Sequence, residues 1–180
     1  MKTYISLLRG INVSGQKLIK MDTLKIMYQN LGFKNIQSYV QSGNIIFSAI
    51  VTDIKKLEHK ISVQIKKEFD FEVPVIVLTI EQLENIIKHN PFATNKQKDI
   101  SFLHVSFLAD KPTAPDKLII EAKKQENEDI EFAENAIYLY CPNGYGNTKL
   151  NNIFLETKLK VKATTRNWKT VNAILRLALE

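Results

Sequence analysis

The order in which the apolar patterns change period is what most restricts how this chain can fold. Tyr4 to Leu8 is an apolar-rich run without helical spacing, followed by Gly10 and Gly15, and it reads as a buried strand delivering a Gly/Asn loop. Leu24, Met27, Tyr28 and Leu31 then fall on one helical face, with Asp22 placed to cap the helix and Gly32 to end it. Two strands are expected at 36–41 and 44–48, joined through Ser42-Gly43-Asn44, where Gly and Asn tolerate positive φ. After Asp53, the residues Ile54, Leu57, Ile61 and Ile65 keep a second helical face. A β-branched run at 73–78 closes the series, and Pro74 near its start suits an edge.

The order strand, helix, strand, strand, helix, strand over the first 79 residues is the split β-α-β arrangement of ferredoxin-like domains, in which the first and third strands are central. After a short helix near 81–88 the pattern starts again. A strand at 102–108 and a helix at 115–123 precede a second hairpin, 130–133 and 136–140, with Asn135 in its turn. Asn147 is then expected to cap a helix carrying Leu150, Ile153 and Phe154. Ala163-Thr164-Thr165 gives a short strand-like stretch, and a last helix presents Trp168, Val171 and Leu175 on one side. The fold class expected is α+β: two tandem ferredoxin-like units with antiparallel sheets, at 1–79 and 80–180, the second carrying the linking helix and an extra C-terminal helix.

A chain of 180 residues is long enough to bury about 70% of its unfolded surface without a staple. Its single cysteine, Cys141, excludes an internal disulfide and fits a reducing compartment. No stretch approaches the roughly 18 consecutive apolar residues of a membrane span, and the apolar run at the N-terminus is too short for a signal peptide, so a cytoplasmic protein with no membrane partner is expected. The formal charge of +6 is unevenly spread. Residues 1–25 carry five basic and one acidic side chain, residues 140–180 seven and two, while residues 121–134 carry six acidic and two basic.

Two of the three arginines lie within two polar stretches of those basic ends, Leu8-Arg9-Gly10-Ile11-Asn12-Val13-Ser14-Gly15 and Ala163-Thr164-Thr165-Arg166-Asn167-Trp168. Elsewhere the chain uses lysine for nearly all its positive charge. A guanidinium offers a planar five-donor fork that grips carboxylate or phosphate from two sides, so its placement beside Gly, Asn and Thr points to anion recognition. The first loop matches neither the Walker nor the Gly-x-Gly-x-x-Gly spacing. Candidate ligand residues are Arg9, Gly10 and Asn12 in that loop, Ser42 and Asn44 at the hairpin, Tyr145, Asn147 and Lys149 before a helix, and Thr165, Arg166 and Asn167 near the end. Each group has a purely structural alternative: a strand-to-helix connection in which Arg9 pairs with a structural carboxylate, a hairpin turn, an Asn cap, and core packing by Trp168.

Four stretches together resemble an uncharacterised bacterial family, the domain of unknown function numbered 1697. They are Leu8-Arg9-Gly10-Ile11-Asn12-Val13, residues Tyr39 to Phe47, Tyr145-Gly146-Asn147-Thr148-Lys149-Leu150, and residues Ala163 to Val171. The resemblance implies ferredoxin-like α+β units and carries no established activity. The family pattern prefers Gly where this chain has Ser14 and Ser where it has Thr148.

No reaction is specified by the residues. There is no Gly-x-Ser-x-Gly elbow, and His59, His89 and His104 lack metal-site spacing, so no metal is expected and no cofactor is indicated. Tyr145 and Lys149 are chemically competent as acid or base, and nothing singles either out. The expectation is a protein, enzyme or not, that binds a small anionic metabolite or nucleotide in a cleft lined by Arg, Asn and Gly loops. The alternative is a nucleic-acid-binding or protein-interaction module without catalysis. The segment Gly43 to Phe47 lacks the basic and aromatic pattern with which RNA-recognition sheets stack bases.

Overall fold

In the computed structural model, which describes residues 1–180, the N-terminal apolar run forms strand β1 (Lys2–Leu8). Helix α1 (Met21–Asn30) buries Leu24, Met27 and Tyr28 on one face, as their spacing requires. Asp22 does not cap it. Lys20 occupies the cap position without a side-chain bond, and the Asp22 carboxylate, one residue inside the helix, pairs with Lys25 at 2.8 Å. Gly32 follows the helix at φ +86°, the left-handed conformation that ends a helix at least cost.

Strands β2 (Lys34–Tyr39) and β3 (Asn44–Ala49) form the hairpin, and helix α2 (Ile54–Phe69) starts at Asp53, whose carboxylate accepts the Lys56 amide at 3.1 Å. Strand β4 (Val75–Thr79) follows Pro74 and lies at the sheet edge, where a residue without an N–H is tolerated. The sheet order is β2-β3-β1-β4, all antiparallel, with Tyr4 opposite Phe47 on one side and Thr79 on the other. Phe47 is the centre of the core beneath the helices. Its ring meets Phe33 at 4.6 Å, Tyr28 at 5.5 Å and Tyr4 at 5.8 Å between centroids.

Helix α3 (Ile80–Lys88) leads into strand β5 (Leu103–Leu108), a short helix α4 (Lys117–Glu121), and the hairpin of β6 (Asp129–Phe132) and β7 (Ala136–Tyr140). Helix α5 (Asn152–Leu159), strand β8 (Ala163–Asn167) and helix α6 (Trp168–Leu179) complete the chain. The second sheet repeats the first permutation as β6-β7-β5-β8, so both sheets are antiparallel and ferredoxin-like, with the expected strands at their centres. Contacts divide the chain into one unit of residues 1–85 with 173–180 and another of 86–172.

Two expectations in the second unit are corrected. The cap of α5 is Asn151, which accepts the Phe154 amide at 3.0 Å, while Asn147 lies in a separate single turn at Tyr145–Asn147. Leu150, fully buried between them, anchors the chain and delays the helix by four residues. The strand-like stretch expected at 163–165 is a strand that runs on through Asn167, and on α6 the fully enclosed residues are Val171 and Ile174, with Trp168 and Leu175 half-buried. No helix is long and apolar enough to cross a membrane.

Gly43 is fixed by steric contact. It sits at φ +76°, and a Cβ there would lie 2.6 Å from the Leu8 Cβ and 2.9 Å from Ile11 Cδ1. Gly43→Ala adds left-handed strain, about 1–2 kcal/mol, to an overlap with the end of β1 that no side-chain rotation relieves. Urea unfolding should register a loss of about 3 kcal/mol, and a variant within 0.5 kcal/mol of wild type would contradict this packing.

Candidate functional site

The polar residues singled out by the sequence occupy loops and strand ends in both units. In the first, Arg9 directly follows β1, and its amide donates to the Pro74 carbonyl at 2.9 Å, extending the strand pairing by one residue. The chain leaves the sheet through Gly10 at φ +73°. Neither the Gly10 amide nor the Ile11 amide meets an acceptor in the protein, although the Ile11 side chain is buried. Adjacent amides of that kind beside a guanidinium have the chemistry of an anion cradle.

Asn12 holds the rest of the loop in place. Its amide nitrogen donates to the Gln41 carbonyl at 2.8 Å and the Ile19 carbonyl at 3.0 Å, while its Oδ1 accepts the Ile19 amide at 2.8 Å. Ser14 at φ +50° and Gly15 at φ +73° form a two-residue turn of the I′ type, closed by the Gln16 amide on the Val13 carbonyl at 2.9 Å. The left-handed position at Ser14 is one that Gly adopts without a Cβ penalty. Across from this loop, the Leu8 amide donates to Gly43 at 2.8 Å, and buried Asn44 donates to the Tyr39 carbonyl at 3.0 Å and to Ser42 Oγ at 2.9 Å. Arg9, Gly10, Asn12, Ser42 and Asn44 are therefore brought to one end of the first sheet. Within that group, Asn12, Ser42 and Asn44 spend polar groups on loop and turn architecture.

Strain concentrates at the same end. Of the fourteen residues with positive φ, seven are Gly10, Asn12, Ser14, Gly15, Lys17, Val40 and Gly43. Val40, at φ +50°, is β-branched and exposed, an expensive choice for a left-handed position. Its geometry aims the Gln41 carbonyl at Asn12 and so joins hairpin to loop.

In the second unit, alternation along β8 separates the candidates. Thr165 faces α5 and donates to Asn152 Oδ1 at 2.7 Å, so its 2.6 Å contact with Ser106 must use the Ser106 proton. Arg166 points to the other side of the strand. It is buried, and its Nη1 donates to Thr164 Oγ1 at 2.7 Å and to the Thr165 carbonyl at 2.9 Å. Asn167 accepts the Thr170 amide at 2.8 Å and caps α6. The Tyr145 ring stacks on His104, 4.8 Å between centroids and 22° between planes. Asn147 donates to the Asn143 carbonyl at 2.7 Å and accepts from Gln125 at 2.8 Å, and Lys149 is exposed.

Spacing alone does not mark His104, Ser106 or Asn152 as partners of Tyr145 and Thr165. The one available signal was the alternation on β5, which puts His104 and Ser106 on the same face. Burial holds the His104 imidazole below its ordinary value, opposed in part by the Phe102 carbonyl. Burial also pushes the Cys141 thiol up to about 12, with the Glu128 charge adding to the rise and a hydrogen bond to Thr148 opposing it. A thiol held in its neutral form is a poor nucleophile.

Residues 1–138 match the model of a family described as a protein of unknown function, DUF1697. The structure of the conserved bacterial protein SP0830 from Streptococcus pneumoniae is similar over 98% of this chain and 98% of its own, with a TM-score of 0.75 and 25% sequence identity. No curated protein matches the chain in sequence.

Two outcomes follow from these contacts. Asn12→Ala should lower stability by about 2 kcal/mol, one to two from the lost loop bonds and the rest from left-handed strain. Asn12→Asp, which retains the acceptor for Ile19, should lose less, and equal urea midpoints for wild type and Asn12→Ala would disprove the clasp. For His104 the folded value lies below the unfolded one, so below about pH 6.5 the unfolded chain binds more protons and stability falls with pH. Comparing urea unfolding at pH 7.5 and 5.5, His104→Phe should show a smaller acid loss than wild type; identical losses would contradict the burial.

Proposed function

The chain belongs to the DUF1697 family, described as proteins of unknown function, and from the loop geometry rather than from that membership we propose that it binds a small anion bearing phosphate or carboxylate at the loop after β1. The observation that carries this reading is Arg9 placed beside the Gly10 and Ile11 amides, which have no protein acceptor. A guanidinium and neighbouring backbone N–H groups are the donor types that suit the oxygens of a phosphate or carboxylate. Asn12 contributes by fixing the loop rather than by touching the ligand. The cleft expected from the sequence is thereby narrowed to first-unit residues, because Thr165, Arg166, Asn167 and Asn147 make the structural bonds described above. A cytoplasmic setting accompanies the proposal, favoured by a single buried thiol.

Base stacking on the first sheet is disfavoured on geometric grounds. Tyr4 and Phe47 lie in the core beneath the helices, and on the opposite face Ile5, Leu7 and Ile46 are buried as well. Calorimetric titration with inorganic phosphate, followed by a panel of phosphorylated and carboxylated metabolites, tests the binding. Arg9→Lys keeps the charge and loses the fork, and should weaken the best ligand about tenfold, or roughly 1.4 kcal/mol. Unchanged affinity in Arg9→Ala would remove Arg9 from the site. Tight binding of labelled RNA that weakens steeply with salt would instead favour the nucleic-acid alternative.

A further inference from the structure

A second site lies wholly within the 86–172 unit, away from the sequence motifs. A cavity of about 350 Å³ opens between the end of β5, the segment leading to α4, the β6–β7 turn and the end of α5. That volume is at the small end for ligand pockets and holds about a dozen water-sized groups. Leu108, Ile137 and Leu159, all buried core residues, line its floor. One wall carries Pro112 and Pro115, neither of which has an amide N–H to offer. The interior therefore suits an apolar body and gives it few polar partners.

Charge at this cavity is predominantly positive. Lys117 holds its ammonium 5.1 Å above the Phe132 ring and has no carboxylate partner. Lys111 is paired with Glu134 at 3.0 Å, but both side chains are about two-thirds exposed, so an incoming anion can exchange with that carboxylate at little cost. Two lysines against one glutamate leave a net positive charge around an apolar floor. We propose that this cavity binds an anion carried on a short apolar body, a medium-chain carboxylate being the simplest member of the class. The apolar chain lies over Leu108, Ile137 and Leu159, and the carboxylate meets Lys117, with Lys111 as the second cation. This inference does not depend on the anion loop after β1.

Octanoate is the probe, followed by calorimetry and by methyl shifts of Leu108, Ile137 and Leu159. Saturable binding that perturbs these methyls is expected, weakened at least tenfold in Lys117→Ala and abolished by Ala133→Trp, which fills the cavity from the exposed turn. Arg9→Ala should leave octanoate binding unchanged, which separates failure here from failure of the first site. Octanol binding as tightly as octanoate would overturn the charge recognition. Shifts confined to residues outside the cavity, or full affinity in Lys117→Ala and Ala133→Trp, would overturn the site.

Discussion

Where β1 ends, its backbone touches the turn of the β2–β3 hairpin, and the rest of the first unit's Gly/Asn loop hangs on that contact. The Leu8 amide donates to Gly43, and Gly43 has no Cβ because the Leu8 side chain already fills the space. With these two segments locked, Asn12 can reach Gln41 from one side and Ile19 from the other. The amides of Gly10 and Ile11 are then left over by geometry. A strand that continued straight would have paired them; a loop that strays into left-handed conformations cannot. Local strain and unpaired backbone amides thus arise together.

The fold was legible in the sequence because it is written in period and order. Alternation between strand-like and helical spacing set the element sequence, and the known permutation of that sequence placed β1, β3, β5 and β7 at the sheet centres. Local turn chemistry was legible too, at Gly32 and the Asn135 turn. Errors came where two local signals competed. Asn147 and Asn151 are equally good caps by type, and only the burial of Leu150 between them decides which one starts α5. Asp22 looked like a cap because the true first residue of α1 is preceded by a lysine with no capping side chain.

The candidate site was legible only in outline. Arg9, Gly10 and Asn12 are close in sequence, so their clustering was visible. The Tyr145–His104 stack joins residues forty-one apart, and the Ser106–Thr165 bond joins residues fifty-nine apart. Pairings at such separations are set by sheet register, which a single sequence does not encode in any local pattern. Arg166 illustrates the same limit. Composition made it the twin of Arg9, yet a strand through Asn167 turns it into a buried brace for Thr164 and Thr165. The two units share a topology and put their arginines to different uses.

Residues 173–180 group with residues 1–85, although residues 86–172 separate them along the chain. During synthesis the first unit therefore emerges long before its last segment is made. The 86–172 unit is continuous, so all its strands are available as soon as it leaves the ribosome. The first must wait without residues 173–180, held meanwhile by its sheet and by the core around Phe47, which includes none of them. The unit whose chain is begun first is thus the one whose last segment is made last.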